Sequence, residues 1–356
     1  MERLAALKQA AFDEANFDGF LVFNPSNLIY FTGFPGNASL LVPRNGEAII
    51  HVYSVNYEQS RADAKGFRVE RVERGENLMA KIAHEATELG IKNLALDAIG
   101  IEGWRSLAKE IRGRVKLKVK PAFISKLRVV KDEAEIAFMR RAAELTSLGM
   151  ETAYEVLRAG MTEIEVAAEI EYAMRKHGSY GTAFDTAISS GLISAFPHGG
   201  CSERKIRAGE LVVVDFGAVY KSYRSDMTRT LVVGNPSGKQ MKLHKIVMKA
   251  QEEAFEAIKA KVKASDVDAV ARRIIEDAGY GEYFVHGLGH GVGLDIHEPP
   301  TLNSASKEKL QAGNVVTDEP GIYLSGYGGV RIEDTVLVVK NGAEKLSKGP
   351  YGLGRE

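Results

Sequence analysis

Two periodicities of apolar and polar residues occur over the first 120 positions, one typical of strands and the other of helices. Apolar runs too short for helices predict buried strands at 19–23, 39–42, 47–52, 94–97 and 115–119. Helical spacing predicts helices at 76–89 and 103–111. Asn45-Gly46 predicts a hairpin between its flanking runs, and residues 24–27 predict a turn after the first strand. This half of the chain is therefore expected to be α/β.

The pattern changes after Pro121 to longer helices followed by strands. Helical spacing predicts a long amphipathic helix from Lys131 and further helices near 162–176, 239–262 and 266–278. Thr162 and Glu165 have the form of a capping box, with Thr162 as the N-cap. Strands and glycine-rich turns dominate residues 284–339. We expect an α+β arrangement overall, divided into a domain at 1–122, a linker at 123–130 and a second domain at 131–356.

Composition limits the compartment and the partners. Lys+Arg and Asp+Glu both number 47 and no block of five like charges occurs, so neither nucleic acid nor an anionic membrane is expected as a partner. The single Cys201 excludes an intrachain disulfide framework and fits a reducing cytoplasm. The first residues lack the pattern of a signal peptide, and no window approaches the roughly 18 apolar residues of a membrane helix. A soluble cytoplasmic protein is expected.

Four carboxylates and one histidine in the last third of the chain lie in apolar or glycine-rich segments. They are Asp215, Asp226, His290, Glu319 and Glu333. Each alone is typical of a turn or loop, but a carboxylate in an apolar segment needs a compensating positive charge or stays protonated. Four carboxylates and one imidazole suit a pair of divalent cations. The chain is thus a candidate hydrolase with two metal ions.

Hairpin geometry pairs the four carboxylates. A regular hairpin centred between Tyr220 and Lys221 would place Asp215 opposite Asp226, and one centred on Gly326 would place Glu319 opposite Glu333. Like charges directly opposite each other destabilise a sheet, and a cation between them reverses that effect. The spacing does not show whether the two hairpins meet.

Histidines and one arginine add candidates for the same chemistry. His286, His290 and His297 fall within twelve positions, and the glycines around His290 argue against a helix and for close backbone packing. His198 lies in a turn from which its imidazole could project into a cleft. Arg331 precedes Glu333 by two positions and shares its strand face, so it either orients that carboxylate or forms a surface ion pair.

These motifs resemble the Xaa-Pro peptidases, meaning prolidase and aminopeptidase P. The matching segments are VDFG at 214–217, SDMTRT at 225–230, HGLGHGVG at 286–293, DIHE at 295–298, EPGIY at 319–323 and RIED at 331–334. LRVVK at 127–131 also resembles the start of the family's C-terminal domain. The resemblance implies an N-terminal creatinase-like α/β domain, a C-terminal pita-bread catalytic domain and a homodimer.

The resemblance also implies roles for the candidate residues. Asp215 would be a terminal ligand of one metal, His290 and Glu319 would hold the other, and Asp226 and Glu333 would bridge the two. A hydroxide between the ions would attack the scissile carbonyl, with Glu319 relaying its proton. His198 and His297 would contact the substrate and stabilise the tetrahedral intermediate. His286 would lie at an outer site, and Arg331 would support the bridging ligands.

Two residues depart from the family pattern, and alternatives stay open for the substrate and the metal. Thr301 stands where similar prolidases often have an arginine, and Asp318 where apolar residues are common. Xaa-Pro dipeptides are the expected substrates, with longer Xaa-Pro peptides, cleaved as by an aminopeptidase P, as the alternative. A pita-bread protein that only binds its ligand and a creatinase-like hydrolase are both disfavoured by the complete ligand set. The ligands favour Mn²⁺ or Co²⁺, with Fe²⁺ or Zn²⁺ as alternatives.

Overall fold

The computed structural model describes residues 2–354 and divides the chain into two compact units, Met1–Arg128 and Val129–Glu356. The terminal positions 1, 355 and 356 of the expected domains lie outside the described residues. The segment 123–130, expected as a linker, is helical over most of its length, because the apolar residues of AFISKLR recur at helical spacing and Ile124 is fully buried.

The N-terminal unit is built around one mixed sheet with the strand order β4-β3-β2-β1-β5-β6. Its strands are β1 (Gly19–Val22), β2 (Ser39–Pro43), β3 (Ile49–Tyr53), β4 (Arg68–Val72), β5 (Asn93–Leu96) and β6 (Lys116–Val119). Its α-helices are α1 (Glu2–Lys8), α2 (Pro25–Thr32), α3 (Tyr57–Asp63), α4 (Leu78–Glu88), α5 (Ile101–Ile111) and α6 (Ala122–Arg128). A π-helical turn, Gln9–Glu14, continues α1. The expected α/β character and the β2–β3 hairpin are confirmed.

The turn predicted at residues 24–27 is wrong, since α2 begins there. Asn24 is the N-cap and its side chain accepts the N–H of Asn27, while Pro25 occupies the first helical position. Proline costs nothing there because that N–H has no helical partner, so the same residues that favour a turn also start a helix.

The C-terminal unit combines long helices with antiparallel strands, which confirms the α+β expectation. Its helices are α7 (Glu133–Val156), α8 (Glu163–Lys176), α9 (Gly238–Ala257) and α10 (Ala264–Asp277). Its strands up to α9 are β7 (Gly181–Thr182), β8 (Ala187–Ser190), β9 (Leu211–Phe216), β10 (Ala218–Tyr220), β11 (Tyr223–Arg224) and β12 (Met227–Val232). Those after α10 are β13 (Gly289–Gly291), β14 (Glu298–Leu302), β15 (Val315–Asp318), β16 (Gly321–Leu324), β17 (Gly328–Arg331), β18 (Asp334–Val339) and β19 (Gly342–Lys345).

Four small sheets and two apolar clusters organise this unit. The sheets have the orders β11-β10-β7, β12-β9-β8, β14-β13-β15-β18-β19 and β16-β17. One cluster packs α7 and α8 against β9 and β12, and the other packs α9 and α10 against β16, β17 and β18. The predicted capping box before α8 is present, with the Thr162 hydroxyl accepting the N–H of Glu165 and the Glu165 carboxylate accepting that of Thr162.

The first carboxylate hairpin has a different register from the expected one. Thr228, not Asp226, lies opposite Asp215, and continuing this register places Gly217 opposite Asp226. The two aspartates are therefore diagonal neighbours. The turn is formed by Lys221 and Ser222, both at positive φ, one position further along than predicted.

The second hairpin has the predicted register. Gly321 pairs with Arg331 and Leu324 with Gly328, so the turn is centred on Gly326, whose φ is +76°. Glu319 and Glu333 lie two residues beyond the last pair. Within residues 2–354, no helix is long and apolar enough to cross a membrane.

Candidate metal centre

One cavity of about 640 Å³ in the C-terminal unit is lined by every residue that the sequence selected as a site candidate. These residues are His198, Asp215, Asp226, His286, His290, His297, Glu319, Arg331 and Glu333. They come from strands β9, β12, β13 and β17 and from the segments that flank them. The cavity is open to solvent, because His198 and His297 are exposed at its wall.

The two carboxylate hairpins meet at Glu333. Its N–H donates to the carbonyl oxygen of Thr228 at 3.0 Å, and the guanidinium of Arg229 donates to its carbonyl oxygen at 2.6 Å. The Thr228 hydroxyl donates to Glu333 Oε2 at 2.5 Å. Asp226 directly precedes strand β12, and β12 fixes the main chain and side chain of Glu333, a connection that spacing alone did not provide.

Asp226, His290 and Glu333 offer ligand atoms that lie within 4.8 Å of one another. Burial raises the pKa of both carboxyls well above the ordinary range. Repulsion adds to it, chiefly from Asp215 at Asp226 and from Asp226 at Glu333. Within residues 2–354, Asp226 Oδ1 and Asp215 Oδ1 are buried without a hydrogen-bond partner. Oxygens in this condition are costly unless a cation compensates them.

His290 and Glu319 form an acid–base contact in the cavity, with 3.3 Å between Nε2 and Oε1. Burial alone would lower the pKa of His290, but the hydrogen bond and charge of Glu319 outweigh it and raise that pKa to about 9. Burial is likewise outweighed at Glu319, where His290 lowers the pKa to about 2. His290 Nδ1 lies 3.1 Å from the carbonyl oxygen of Gly291, so Nδ1 carries a proton and Nε2 faces the carboxylates.

Arg331 is buried and binds Asp215, so the surface ion pair is wrong, whereas orientation of Glu333 by Arg331 stays a prediction. The arginine is 4% exposed, and Nη2 donates to Asp215 Oδ2 at 2.5 Å. Its Nε donates to the Thr228 hydroxyl at 3.1 Å. Period-two spacing placed Arg331 and Glu333 on one face, but the strand ends at Arg331 and the alternation ends with it.

Tyr323 connects Arg331 to His286. Arg331 Nη1 donates to the Tyr323 hydroxyl at 2.8 Å, and that hydroxyl lies 2.9 Å from His286 Nε2. Burial lowers the pKa of His286, and its Nδ1 lies 2.8 Å from the carbonyl oxygen of Gly287. The neutral ring therefore carries its proton on Nδ1 and accepts the tyrosine hydroxyl at Nε2.

The ring of His297 lies next to that of His290, with 4.2 Å between centroids and 59° between planes. Burial and the positive charge of His290 lower the pKa of His297, so its imidazole is neutral at pH 7. His198 follows the 3₁₀ helix Gly191–Ala195 in the exposed turn that the sequence indicated. Both histidines line the cavity.

Two threonines of the site were missed at the sequence level. Thr228 holds Glu333, and Thr317 accepts the N–H of His290 at 3.0 Å while its hydroxyl donates to Glu319 Oε1 at 2.9 Å. Thr228 lies two positions after Asp226 and Thr317 two positions before Glu319. A search for polar residues two positions from each candidate ligand would have found both.

Glycines flank His290 because backbone approaches closely on both sides, as the sequence indicated. A Cβ on Gly289 would collide with the carbonyl oxygen of Thr317, and one on Gly291 with that of Pro299. Only glycine permits this spacing of β13, β14 and β15.

The two departures from the family pattern have different surroundings. Thr301 lines the cavity, pairs with His290 across β13 and β14, and donates its N–H to Glu308. Asp318 is fully buried on β15 opposite Asp334 and, within residues 2–354, neither of its carboxylate oxygens has a partner. Burial raises the pKa of Asp318 well above its ordinary value.

The donor set therefore fits divalent cations. Oxygen donors predominate, the imidazole nitrogen of His290 faces them, and two buried carboxylate oxygens have no other partner.

Comparison with known proteins gives two family matches. Residues 137–340 match metallopeptidase family M24, and residues 3–130 match the creatinase/prolidase N-terminal domain. The Xaa-Pro dipeptidase of Pyrococcus furiosus is 40% identical over 342 residues, which cover 94% of this chain and 95% of the relative.

Solved structures show the same fold. An Xaa-Pro dipeptidase from Bacillus anthracis matches with a TM-score of 0.94 and 38% identity, covering 99% of each chain. An X-Pro aminopeptidase from Thermotoga maritima matches with a TM-score of 0.87 and 36% identity, covering 94% of this chain and 97% of the other. These similarities confirm the expected creatinase-like domain followed by a pita-bread domain.

Proposed function

Because this chain belongs to metallopeptidase family M24, we propose that it hydrolyses the bond between an N-terminal residue and proline in Xaa-Pro dipeptides. The observation that carries the proposal is the group of Asp226, His290 and Glu333, whose ligand atoms lie within 4.8 Å of one another in a cavity open to solvent. The similarity to the Pyrococcus furiosus Xaa-Pro dipeptidase over 94% of the chain supports the substrate class.

The proposed cofactor is a pair of divalent metal ions, Mn²⁺ or Co²⁺ in the first instance. Asp215 would be the terminal ligand of one ion, His290 and Glu319 would hold the other, and Asp226 and Glu333 would bridge them. When bound, the ions supply Lewis-acid chemistry, since they acidify water at neutral pH and polarise a carbonyl oxygen. The unpartnered oxygens of Asp215 and Asp226 support this assignment.

The side chains of the cavity have separate proposed tasks. Glu319 accepts the proton of the attacking water and passes it to the leaving proline nitrogen, a role that its place on the cavity wall supports. His297 and His198 line the cavity, and their imidazoles would donate to the carbonyl oxygen as negative charge develops on it. Arg331 holds Asp215 in place, and His286 closes the outer wall through Tyr323.

Cleavage before proline imposes a particular demand on the site. The amide nitrogen of an Xaa-Pro bond has no hydrogen, so the site cannot use a donor at that position for recognition. Phe184, Pro197 and Ile296 line the cavity and supply apolar surface that suits the pyrrolidine ring.

A second candidate function is that of an aminopeptidase P acting on longer Xaa-Pro peptides. The neutral Thr301 favours it, because an arginine there could form a bidentate ion pair with the free carboxylate of a dipeptide, whereas threonine offers no positive charge. The similarity to the Thermotoga maritima X-Pro aminopeptidase gives independent support. We also propose that the protein is a homodimer. Light scattering, which gives the molar mass in solution, tests this.

The test compares Ala-Pro with Ala-Pro-Ala, using Ala-Ala as the control that lacks proline. The protein is stripped with chelator and then assayed with Mn²⁺, Co²⁺, Fe²⁺ or Zn²⁺. Metal-dependent cleavage of Ala-Pro is expected, with loss of about 10³-fold or more in Asp226→Ala. Exclusive cleavage of the tripeptide would replace the dipeptidase assignment with the alternative. Absence of any metal-dependent cleavage would refute both.

A further inference from the structure

The loop that carries His297 lacks regular ladder pairing. Residues 292–297 connect β13 to β14, and the pairing shifts between His290, which faces Thr301, and Gly291, which faces Glu298. The ring of His297 nevertheless lies 4.2 Å from that of His290. Hydrogen bonds from Val292 to Val315 and from Arg224 to the carbonyl oxygens of Gly293 and Leu294 hold the start of the loop. A further contact acts on residues 295–297, next to this imidazole.

The carboxylate of Glu298 lies directly under this loop. A Cβ on Gly293 would lie 2.6 Å from Glu298 Oε1, so the carboxylate occupies the space beside that glycine. Glu298 Oε2 lies 3.5 Å from the N–H nitrogen of Asp295. Glu298 thus contacts the start and the middle of the loop, while its own backbone adjoins His297.

Lys131 holds that carboxylate from the other side. Its Nζ lies 2.7 Å from Glu298 Oε1, and the two side chains are only 1% and 6% exposed. The main chain of Lys131 is held in place, since its N–H donates to the carbonyl oxygen of Gly313 at 2.9 Å. The Asn314 side chain donates to the carbonyl oxygen of Val129 at 2.9 Å. The turn before β15 therefore anchors the lysine that reaches Glu298.

A buried ion pair is a costly way to gain stability, because apolar residues of the same size do as well or better. What such a pair does provide is a fixed geometry. Burying one of the two charges without the other would be strongly disfavoured, so the two side chains must stay together. Neither Lys131 nor Glu298 lines the cavity. Their effect on chemistry must therefore pass through the loop.

We propose that Lys131 and Glu298 are positioning residues that hold the loop 292–297 so that His297 stands beside His290 at the reacting centre. The role of His297 in the reaction rests on the proposed function. The claim that the ion pair holds the loop in place does not. Loss of either charge lets the loop move while the cavity keeps its other residues.

The first test measures hydrogen–deuterium exchange in metal-free protein and needs no activity. Glu298→Gln keeps the shape of the side chain and removes its charge, and exchange over residues 292–298 is expected to rise about tenfold. Exchange in α7 should stay as in the wild type. Glu210→Gln is the matched control, because it breaks the Arg204–Glu210 ion pair of the same unit outside the cavity. Unchanged exchange over 292–298, or one uniform rise across the unit, would overturn the proposal.

The second test uses steady-state kinetics on Ala-Pro. Lys131→Met and Glu298→Gln should each lower kcat about tenfold with KM changed less than about twofold, because ground-state contacts are kept and transition-state alignment is lost. The double variant should be no worse than either single variant, and Lys131→Arg should recover most of kcat. Three results would each contradict the pairing of Lys131 with Glu298. They are an unchanged kcat in Lys131→Met, additive losses of kcat in the double variant, and a kcat in Lys131→Arg no higher than in Lys131→Met.

The two tests separate the proposals from each other. If wild-type protein cleaves no Xaa-Pro peptide while Glu298→Gln loosens only the loop, the proposed function fails and the positioning pair stands. If the wild type is active and Glu298→Gln leaves both loop exchange and kcat unchanged, the positioning pair fails and the proposed function stands.

Discussion

Thr228 binds Glu333 through both its main chain and its side chain. The Thr228 carbonyl accepts the Glu333 N–H at 3.0 Å, and the Thr228 hydroxyl donates to Glu333 Oε2 at 2.5 Å. Thr228 also faces Asp215 across β9 and β12. A single residue that is not itself a proposed ligand thus touches one carboxylate and stands opposite another.

Thr228→Val should weaken metal binding about tenfold or more, because a carboxylate ligand without its hydrogen-bond partner is less well oriented. Stability should also fall by about 1–2 kcal/mol from the lost hydroxyl contacts. Titration of stripped protein with Mn²⁺ by calorimetry measures the affinity, and urea denaturation measures the stability.

Thr230→Val is the matched control for that experiment. Thr230 lies two positions further along β12, is equally buried, and exchanges hydrogen bonds with the backbone of Arg331. It should lose a similar amount of stability and keep the wild-type metal affinity. Equal losses of affinity in both variants would show that general loosening of the sheet, and not the contact with Glu333, is responsible.

Asp226→Asn should change stability in opposite directions with and without metal. In chelator, removal of a buried carboxyl with an unpartnered oxygen should raise the free energy of unfolding by about 1–3 kcal/mol. With saturating Mn²⁺, the wild type should be the more stable protein, because it gains more from ligand binding. Denaturation curves in both buffers give the comparison, and the same order in both would argue against a cation at this carboxylate.

Asp318→Val should raise the free energy of unfolding by about 1–3 kcal/mol, because it replaces a buried carboxyl that has no hydrogen-bond partner among residues 2–354 with an apolar side chain. Its neighbour across the ladder should behave in the opposite way. Asp334 accepts hydrogen bonds from Arg229 and Tyr351 and lies 3.1 Å from Lys345 Nζ, so Asp334→Val should destabilise by about 3 kcal/mol or more. A stability loss in both variants would mean that Asp318 has a stabilising partner.

Thr301→Arg should shift the preference toward dipeptides. An arginine at this cavity wall could bind the free carboxylate of Ala-Pro, which Ala-Pro-Ala does not present at the same place. The ratio of kcat/KM for Ala-Pro over Ala-Pro-Ala should rise about tenfold. Thr301→Gln, long and uncharged, is the control and should leave the ratio near the wild-type value. A rise with glutamine would point to size and not charge.

Most helices and the second carboxylate hairpin could be predicted from local patterns. The α8 capping box is a contact between residues three positions apart, and Gly326 supplies the positive φ that its turn needs. The first hairpin was placed wrongly because Lys221 and Ser222 adopt positive φ without glycine or asparagine. Lysine and serine do not indicate a tight turn, so the sequence did not predict the register of this hairpin.

The candidate residues were found from sequence, but their contacts were not. Asp215 and Arg331 are 116 positions apart, and their pairing depends on how β17 lies against β9 and β12. Tyr323, Thr228 and Thr317 act through hydrogen bonds that exist only once the strands are assembled. Residue chemistry identified the candidate ligands, whereas tertiary packing determined which group supports which.

The diagonal placement of Asp215 and Asp226 has a consequence for how the protein matures. Uncharged Thr228 and Gly217 occupy the directly facing positions, so strand pairing does not force the two carboxylates against each other. Folding can therefore be completed in an ion-poor environment, and ions can enter afterwards through the open cavity.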